Sequence, residues 1–141
     1  MLGLFYEEAQ VARCLTFAES VGGFIIPGPG PGSSDRHLQF DAPGVLEGSL
    51  PVVCFQTVAD ADKASFSVRL NSGPHLVEGT FENDRDPHSW MKLAQAGSLM
   101  PEHNELVFAV NEGKVTFTDV FILYTANQLT VKKRRTIVAT Q

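Results

Sequence analysis

The residue types best suited to chemistry lie in one short segment, Asn83 to Trp90, with the sequence Asn-Asp-Arg-Asp-Pro-His-Ser-Trp. Sugar recognition needs an aromatic ring for the apolar side of the pyranose, and carboxylates, amides or guanidinium groups for its hydroxyls. Asp84, Arg85, His88 and Trp90 supply these groups and are therefore the predicted ligand-binding residues. The competing interpretation is that Trp90 belongs to the core and the charged residues only solvate a loop.

Metal chemistry has weaker support in the sequence. The four histidines have none of the close spacings of a zinc site: His37, His75, His88 and His103. A small metal-dependent enzyme would need His37, His88 and His103 to converge in the fold with Asp or Glu. The pairs Asp60 and Asp62, and Glu7 and Glu8, could offer oxygen ligands to calcium, although without EF-hand spacing. We therefore predict no cofactor, leave calcium open and assign no metal ligands.

Nucleophilic and nucleotide chemistry also lack their usual motifs. The sequence has no G-x-S-x-G nucleophile elbow and no G-x-x-x-x-G-K-[ST] phosphate loop, and the glycines at 28, 30 and 32 alternate with proline. Cys14 and Cys54 lack metal-ligand spacing, and whether they pair is open. Asp119 lies within an apolar strand pattern, where a buried carboxylate would need partners. No catalytic residue is predicted.

Length and composition are typical of a single folded domain over residues 1–141. Hydrophobic residues make up 43% of the chain and charged residues 19%, which disfavours disorder and repeats. The net charge of −5 argues against nucleic acid and anionic membrane as partners, because both need a clustered basic surface. The basic run Lys132–Arg135 is expected to be a solvated turn.

Targeting signals are not evident. The segment Met1–Glu8 carries acids where a secretory signal would carry positive charge, and the long uncharged stretch 20–34 is broken by glycine and proline. We therefore expect a cytoplasmic protein. Within that stretch, residues 27–34 alternate proline and glycine and predict a surface loop, either a connector between two elements or a mobile flap over a site.

From Leu50 onward, short runs of Val, Phe, Ile and Thr alternate with turn residues, as in antiparallel β-proteins. The predicted strands are Pro51–Val58, Ser65–Leu70, His75–Phe81, Trp90–Leu93, Glu105–Val110 and Val115–Tyr124. Residues 111–114 form a predicted hairpin turn, and 4–18 fit either a helix or a strand. Two further candidate strands lie at Gln128–Val131 and Thr136–Ala139. Short strands without helical patterns between them indicate a β-sandwich.

The stretch Phe66–Tyr124 resembles the galactose-binding-like family of jelly rolls, which includes carbohydrate-binding modules. Four features carry the resemblance: the turn Leu70-Asn71-Ser72-Gly73, Trp90 at the start of a strand, the segment Leu99–Leu106, and the segment Gly113–Val120. Asn71 and Gly73 suit positive φ, and Asn104 can bond local backbone. Leu99 and Leu106 would be core anchors, and the resemblance implies that Asp119 braces a turn.

The resemblance implies an all-β, antiparallel β-sandwich of jelly-roll type. It also implies a non-catalytic binding module, with carbohydrate as the first ligand class to test. The alternative is a structural or oligomerisation subunit, or a protein–protein interaction domain. Its interface would use apolar residues of the N-terminal third: Phe5, Phe17, Phe24, Ile25 and Ile26. The expected partners are thus a glycan, another protein or a second copy of the chain.

Overall fold

The computed structural model describes residues 12–16, 24–27 and 35–126, and all regular elements in these ranges are strands. In chain order they are β1 Ala12–Thr16, β2 Phe24–Pro27, β3 Asp35–Phe40, β4 Val52–Ala59, β5 Lys63–Leu70, β6 His75–Glu82, β7 His88–Leu93, β8 Asn104–Glu112 and β9 Lys114–Ala126. Within these ranges, no helix has the length and apolar character needed to cross a membrane.

The strands form two antiparallel sheets. Sheet A has the order β1-β9-β4-β7, with β2 also paired to β9, and sheet B has the order β3-β8-β5-β6. β1 pairs with the end of β9 and β2 with its start, so together they flank β9 as one interrupted edge strand. With these two counted together, every connection except β5–β6 crosses between the sheets. This is the strand order of an eight-stranded jelly roll, and the predicted fold class is confirmed.

The core lies between the inner faces of the sheets, because side chains alternate in and out along each strand. Four phenylalanines from both sheets, each at most 2% exposed, fill its centre: Phe55, Phe66, Phe108 and Phe117. Their ring centroids lie 4.9 to 6.1 Å apart in edge-to-face and tilted pairs, the geometry that aromatic quadrupoles favour. The predicted anchors Leu99 and Leu106 are both buried in this core, as expected.

β9 contains a bulge that changes the role of Asp119. Cys54 pairs with Phe121 and Gln56 with Thr118, so two residues of β9 lie opposite Phe55. Asp119 has φ of 51° and is exposed, while Val120 is 2% exposed and faces the core. The bulge therefore turns the carboxylate into solvent, so Asp119 has no need of the partners that a buried carboxylate would require.

The six strands predicted after Leu50 are present, each within two residues of its predicted bounds. The hairpin predicted at 111–114 was wrong, because β8 and β9 belong to different sheets and the chain crosses between them at Gly113. Of the ambiguous segment 4–18, the described part is the strand β1. Ile26 is 3% exposed and belongs to the core, so it is not available to the predicted N-terminal interface, whereas Ile25 is exposed. Several predictions concern residues or side chains that the structure does not describe. They are those for Phe5, Glu7, Glu8, Phe17, most of loop 27–34 and the segments 128–131, 132–135 and 136–139, and those for the side chains of Cys14 and Phe24.

Candidate functional site

The loop between β6 and β7 brings three of the predicted ligand residues together at one end of the sandwich. Asp84 Oδ1 accepts a hydrogen bond from the backbone N–H of Asp86 at 3.0 Å, and Asp84 Oδ2 lies 2.8 Å from His88 Nε2. The Asp86 N–H and, next, His88 hold the pKa of the Asp84 carboxyl below its usual value. The loop is thus organised by its own polar groups.

Arg85 ties this loop to the neighbouring turn between β4 and β5. Its guanidinium donates to Asp60 Oδ1 at 3.3 Å and to Asp62 Oδ1 at 3.1 Å, and Lys114 Nζ lies 3.6 Å from Asp60. The two carboxylates considered as calcium ligands therefore already face cations. All these groups are well exposed, so the network adds little to stability.

Trp90 follows the same loop, but its side chain packs against the core. The indole N–H donates to Thr57 Oγ1 at 2.8 Å, the ring stacks on Phe55 at 6.2 Å and meets the Phe66 ring edge-on at 5.2 Å. Its neighbour His88 contacts Phe81. The structure therefore brings Asp84, Arg85 and His88 together at the surface and places the half-buried Trp90 beneath them as a packing residue.

At the opposite end of the sandwich, two asparagines join the β5–β6 turn to the β7–β8 loop. Asn71 adopts φ of 54°, donates from Nδ2 to Ser98 O at 2.7 Å, and accepts the Glu105 N–H on Oδ1 at 2.8 Å. The fully buried Asn104 accepts the Met100 N–H and donates to the Met100 carbonyl, both at 2.7 Å. The predicted roles of Asn71 and Asn104 are confirmed. The predicted positive φ at Gly73 was wrong.

Two open clefts adjoin the β5–β6 turn and the β7–β8 loop that Asn71 and Asn104 hold together. The larger, about 860 Å³, lies between the β5–β6 turn and the β7–β8 loop, and the smaller, about 330 Å³, lies beside the end of β3. Both are lined by His103 and Glu105, so they meet there. We call this joint depression the polar groove. Its principal lining side chains are Gln39, Phe40, Arg69, Gln95, His103 and Glu105.

His37 on β3 holds the Glu105 side chain from the other side. Its Nδ1 lies 3.0 Å from Glu105 Oε1, and its Nε2 lies 3.2 Å from Asp35 Oδ2. Glu105 and, next, Asp35 raise the pKa of His37. The His37 ring therefore lies beside a carboxylate of the groove, within hydrogen-bond distance.

The groups that line the groove can donate and accept hydrogen bonds. Carboxylate, amide, guanidinium and imidazole groups line a depression that also includes the half-buried ring of Phe40 and the exposed thioether of Met100. Both cleft volumes lie in the range of small-molecule sites, about 300 to 1,000 Å³. Sequence reasoning missed the groove because its polar residues come from β3, β5, β8 and the β7–β8 loop.

A metal centre finds no support in the described part of the chain, where no group of three or more His, Cys, Asp and Glu side chains could hold an ion. His37 lies on β3, at one edge of sheet B, and His88 begins β7, at the far edge of sheet A. The fold therefore separates histidines that a metal-dependent enzyme would need to bring together.

No protein-family model matches the chain, and no curated protein matches it. Among solved structures, it is similar to a CBM4 carbohydrate-binding module, at 13% identity and a TM-score of 0.45 over 80% of this chain and 89% of that one. It is also similar to a GH26-CBM35 β-(1,4)-mannanase of Podospora anserina, at 16% identity and a TM-score of 0.45 over 88% of this chain and 29% of that one.

The Tobacco streak virus coat protein is similar as well, at 9% identity and a TM-score of 0.42 over 86% of this chain and 98% of that one. The resemblance to carbohydrate-binding modules that the sequence motifs predict thus reappears among solved structures. At TM-scores below 0.5 these likenesses carry no argument for a function, and the jelly-roll assignment rests on the strand order itself.

Proposed function

We propose that this protein is a non-catalytic carbohydrate-binding module and that the polar groove is its binding site. One observation carries the proposal: two open clefts meet at His103 and Glu105, and donors and acceptors suited to sugar hydroxyls line both. Phe40 packs partly against the core and also lines the smaller cleft, so the exposed part of its ring supplies an aromatic surface that suits the apolar side of a pyranose.

The groove is held in shape without a ligand. The hydrogen bonds of Asn71 and Asn104 fix the turn and loop that form its walls. A binding site that is already ordered spends less of the binding free energy on ordering its own groups. This order is a physical advantage of the groove as a binding site.

The loop residues Asp84, Arg85, His88 and Trp90 form the second location for the same function. They lie at the other end of the sandwich, so single substitutions at one site or the other can show which of the two binds the glycan. Trp90 is the only tryptophan, and its emission should change when a glycan binds against the loop and stay constant when a glycan binds in the groove.

The alternative function is an assembly subunit, and the outer face of sheet A favours it. Met91 and Leu93 on β7 are 72% and 63% exposed, and they pair across the sheet with Cys54 and Val52. An exposed apolar row of this kind is typical of interaction surfaces. The partner that this alternative requires is a second copy of the chain, and light scattering at high concentration tests for it.

The experiment is a thermal-shift screen with cellohexaose, mannohexaose and xylohexaose, each with calcium and with EDTA. A ligand at a hundredfold excess over its Kd should stabilise the fold by about 2.7 kcal/mol. Arg69→Ala and Gln95→Ala should abolish the shift, while Arg85→Ala and His88→Ala should preserve it. The reverse pattern would move the site to the β6–β7 loop, and a flat screen with a defined dimer would favour assembly.

A further inference from the structure

His37 lies between two carboxylates, one of which belongs to the polar groove. Its two ring nitrogens lie 3.0 Å from Glu105 Oε1 and 3.2 Å from Asp35 Oδ2. A neutral imidazole carries one N–H and can donate to one carboxylate, whereas the imidazolium donates to both. In the observed arrangement, therefore, only the protonated ring can donate a hydrogen bond to both carboxylates at once.

Glu105 is held at its backbone and at its side chain by different residues. Its N–H donates to Asn71 Oδ1 at 2.8 Å, and its carbonyl accepts the Asn71 N–H at 2.7 Å. The carboxylate is half-exposed, lines both clefts and faces His37. Since the backbone is fixed independently, His37 acts on the orientation of the side chain alone.

We propose that His37 is a positioning residue of the polar groove, whose protonation fixes the Glu105 carboxylate and thereby strengthens carbohydrate binding. The proposal rests on the proposed function. When the ring loses its proton, Asp35 and Glu105 compete for one N–H, and the Glu105 side chain regains rotamer freedom. A ligand must then bear the cost of ordering that side chain again.

The charges around His37 set the direction of the pH dependence. β8 is the neighbouring strand in its sheet and presents Glu105, while β3 itself presents Asp35, so the two nearest charges are negative. Arg36 follows Asp35 on the other face of the strand. Among the described residues, the other titratable or charged groups in the cross-strand rows of His37 and Asp35 lie on more distant strands: Arg69 on β5, and His75 and Glu78 on β6.

Because the pKa of His37 is raised above its ordinary value, the imidazolium persists to a higher pH than in a free histidine and is lost as the pH rises through the raised value. Binding should therefore be stronger on the acidic side of this transition. The pair is about half-exposed, so the effect on Kd should be modest, about two- to five-fold.

The test measures Kd for the three hexasaccharides by calorimetry from about pH 5.5 to about pH 8.5, around the ordinary histidine pKa of about 6.5. In the wild type, Kd should rise two- to five-fold across this range. His37→Asn should bind with the weaker affinity and show no such rise. His75→Asn is the matched control, because His75 also pairs with a carboxylate, Glu78, without lining either cleft, and it should follow the wild type.

An unchanged pH profile in His37→Asn, in a variant whose melting temperature shows that it is folded, would overturn the positioning role. If no hexasaccharide binds at any pH, the proposed function fails, and NMR decides the role of His37 separately. Amide shifts of His103 and Glu105 that titrate with the His37 ring, and stop titrating in His37→Asn, support it. Amide shifts that ignore the ring refute it.

Discussion

Asn104 shows how one buried amide determines local structure. It is 0% exposed and bonds the Met100 backbone through both its oxygen and its nitrogen, while Asn71 donates to the same oxygen at 3.1 Å. Asn104→Ala should therefore remove the partner of the Met100 N–H and carbonyl and of the Asn71 amide, and lower the free energy of unfolding by about 2 to 3 kcal/mol. Denaturant unfolding measures this loss.

The matched control for that experiment is Asn111→Ala, an exposed asparagine on the same strand. It should change stability by less than about 0.5 kcal/mol. Equal losses for the two variants would mean that the Asn104 hydrogen bonds contribute no more than an average surface position, and that the groove is shaped by other contacts.

Asp84 predicts a small acid sensitivity. Its pKa is lowered in the folded state by the Asp86 N–H and by His88, so its contribution is present above the ordinary carboxyl pKa and is lost as the pH falls through the lowered value. Asp84→Asn should reduce the drop in melting temperature between neutral and acidic pH by about 1 to 3 °C. Melting curves at several pH values measure this difference.

Asp86→Asn is the control, since it makes the same change of charge two positions away and keeps the backbone N–H. If Asp86→Asn reduces the drop in melting temperature at acidic pH as much as Asp84→Asn does, net charge rather than the hydrogen bonds of Asp84 explains the effect.

At the scale of strands, the inner face of β6 depends on the absence of a side chain at Gly79. Gly79 pairs with Phe66 in sheet B, and a Cβ at this position would overlap the Phe66 ring. That ring is 1% exposed and packs on Phe81 and Phe117. Gly79→Ala should therefore destabilise the protein by about 1 to 3 kcal/mol through overpacking, which chemical denaturation can measure.

Gly48→Ala provides the comparison, because nothing lies within 4 Å of a Cβ built there. It should leave stability unchanged or raise it slightly through the entropy of the unfolded chain. A Gly79→Ala protein as stable as Gly48→Ala would show that the phenylalanine cluster can rearrange around an extra methyl group.

The strands that sequence reasoning found are those with one buried face. β5 alternates Ala64, Phe66 and Val68 with more polar residues, and this period of two is visible without a structure. β3 has the composition Asp-Arg-His-Leu-Gln-Phe, and none of its residues is fully buried. Its pairing with β8 is a long-range event that leaves no local pattern, so it was missed.

The same distinction separates the two candidate sites. The β6–β7 loop was predictable because its polar residues are adjacent in sequence. In the groove, Arg69 and Gln95 come from separate elements that only the tertiary fold brings to one cleft. The role of Trp90 depended on which face of β7 is inward, and its hydrogen bond to Thr57 settles that point.

At the scale of the whole molecule, Cys54 can report how cooperatively the sandwich opens. It is a free thiol, 5% exposed, in β4, which pairs with both β7 and β9. Burial raises the pKa of this thiol, which further slows its reaction, since the thiolate is the nucleophile. In a Cys14→Ser background, labelling by a thiol reagent should be at least about a hundred-fold slower in the native protein than in denaturant.

The dependence of that rate on denaturant identifies the opening reaction. Because β4 lies between two partner strands, exposing Cys54 should require the strands of sheet A to separate. The free energy of the opening that allows labelling should then decrease with denaturant concentration as steeply as the free energy of global unfolding does. A fast rate independent of denaturant would mean that the outer face of sheet A opens by itself. Protection that increases with protein concentration would instead show that a second copy of the chain covers Met91 and Leu93, as the assembly alternative requires.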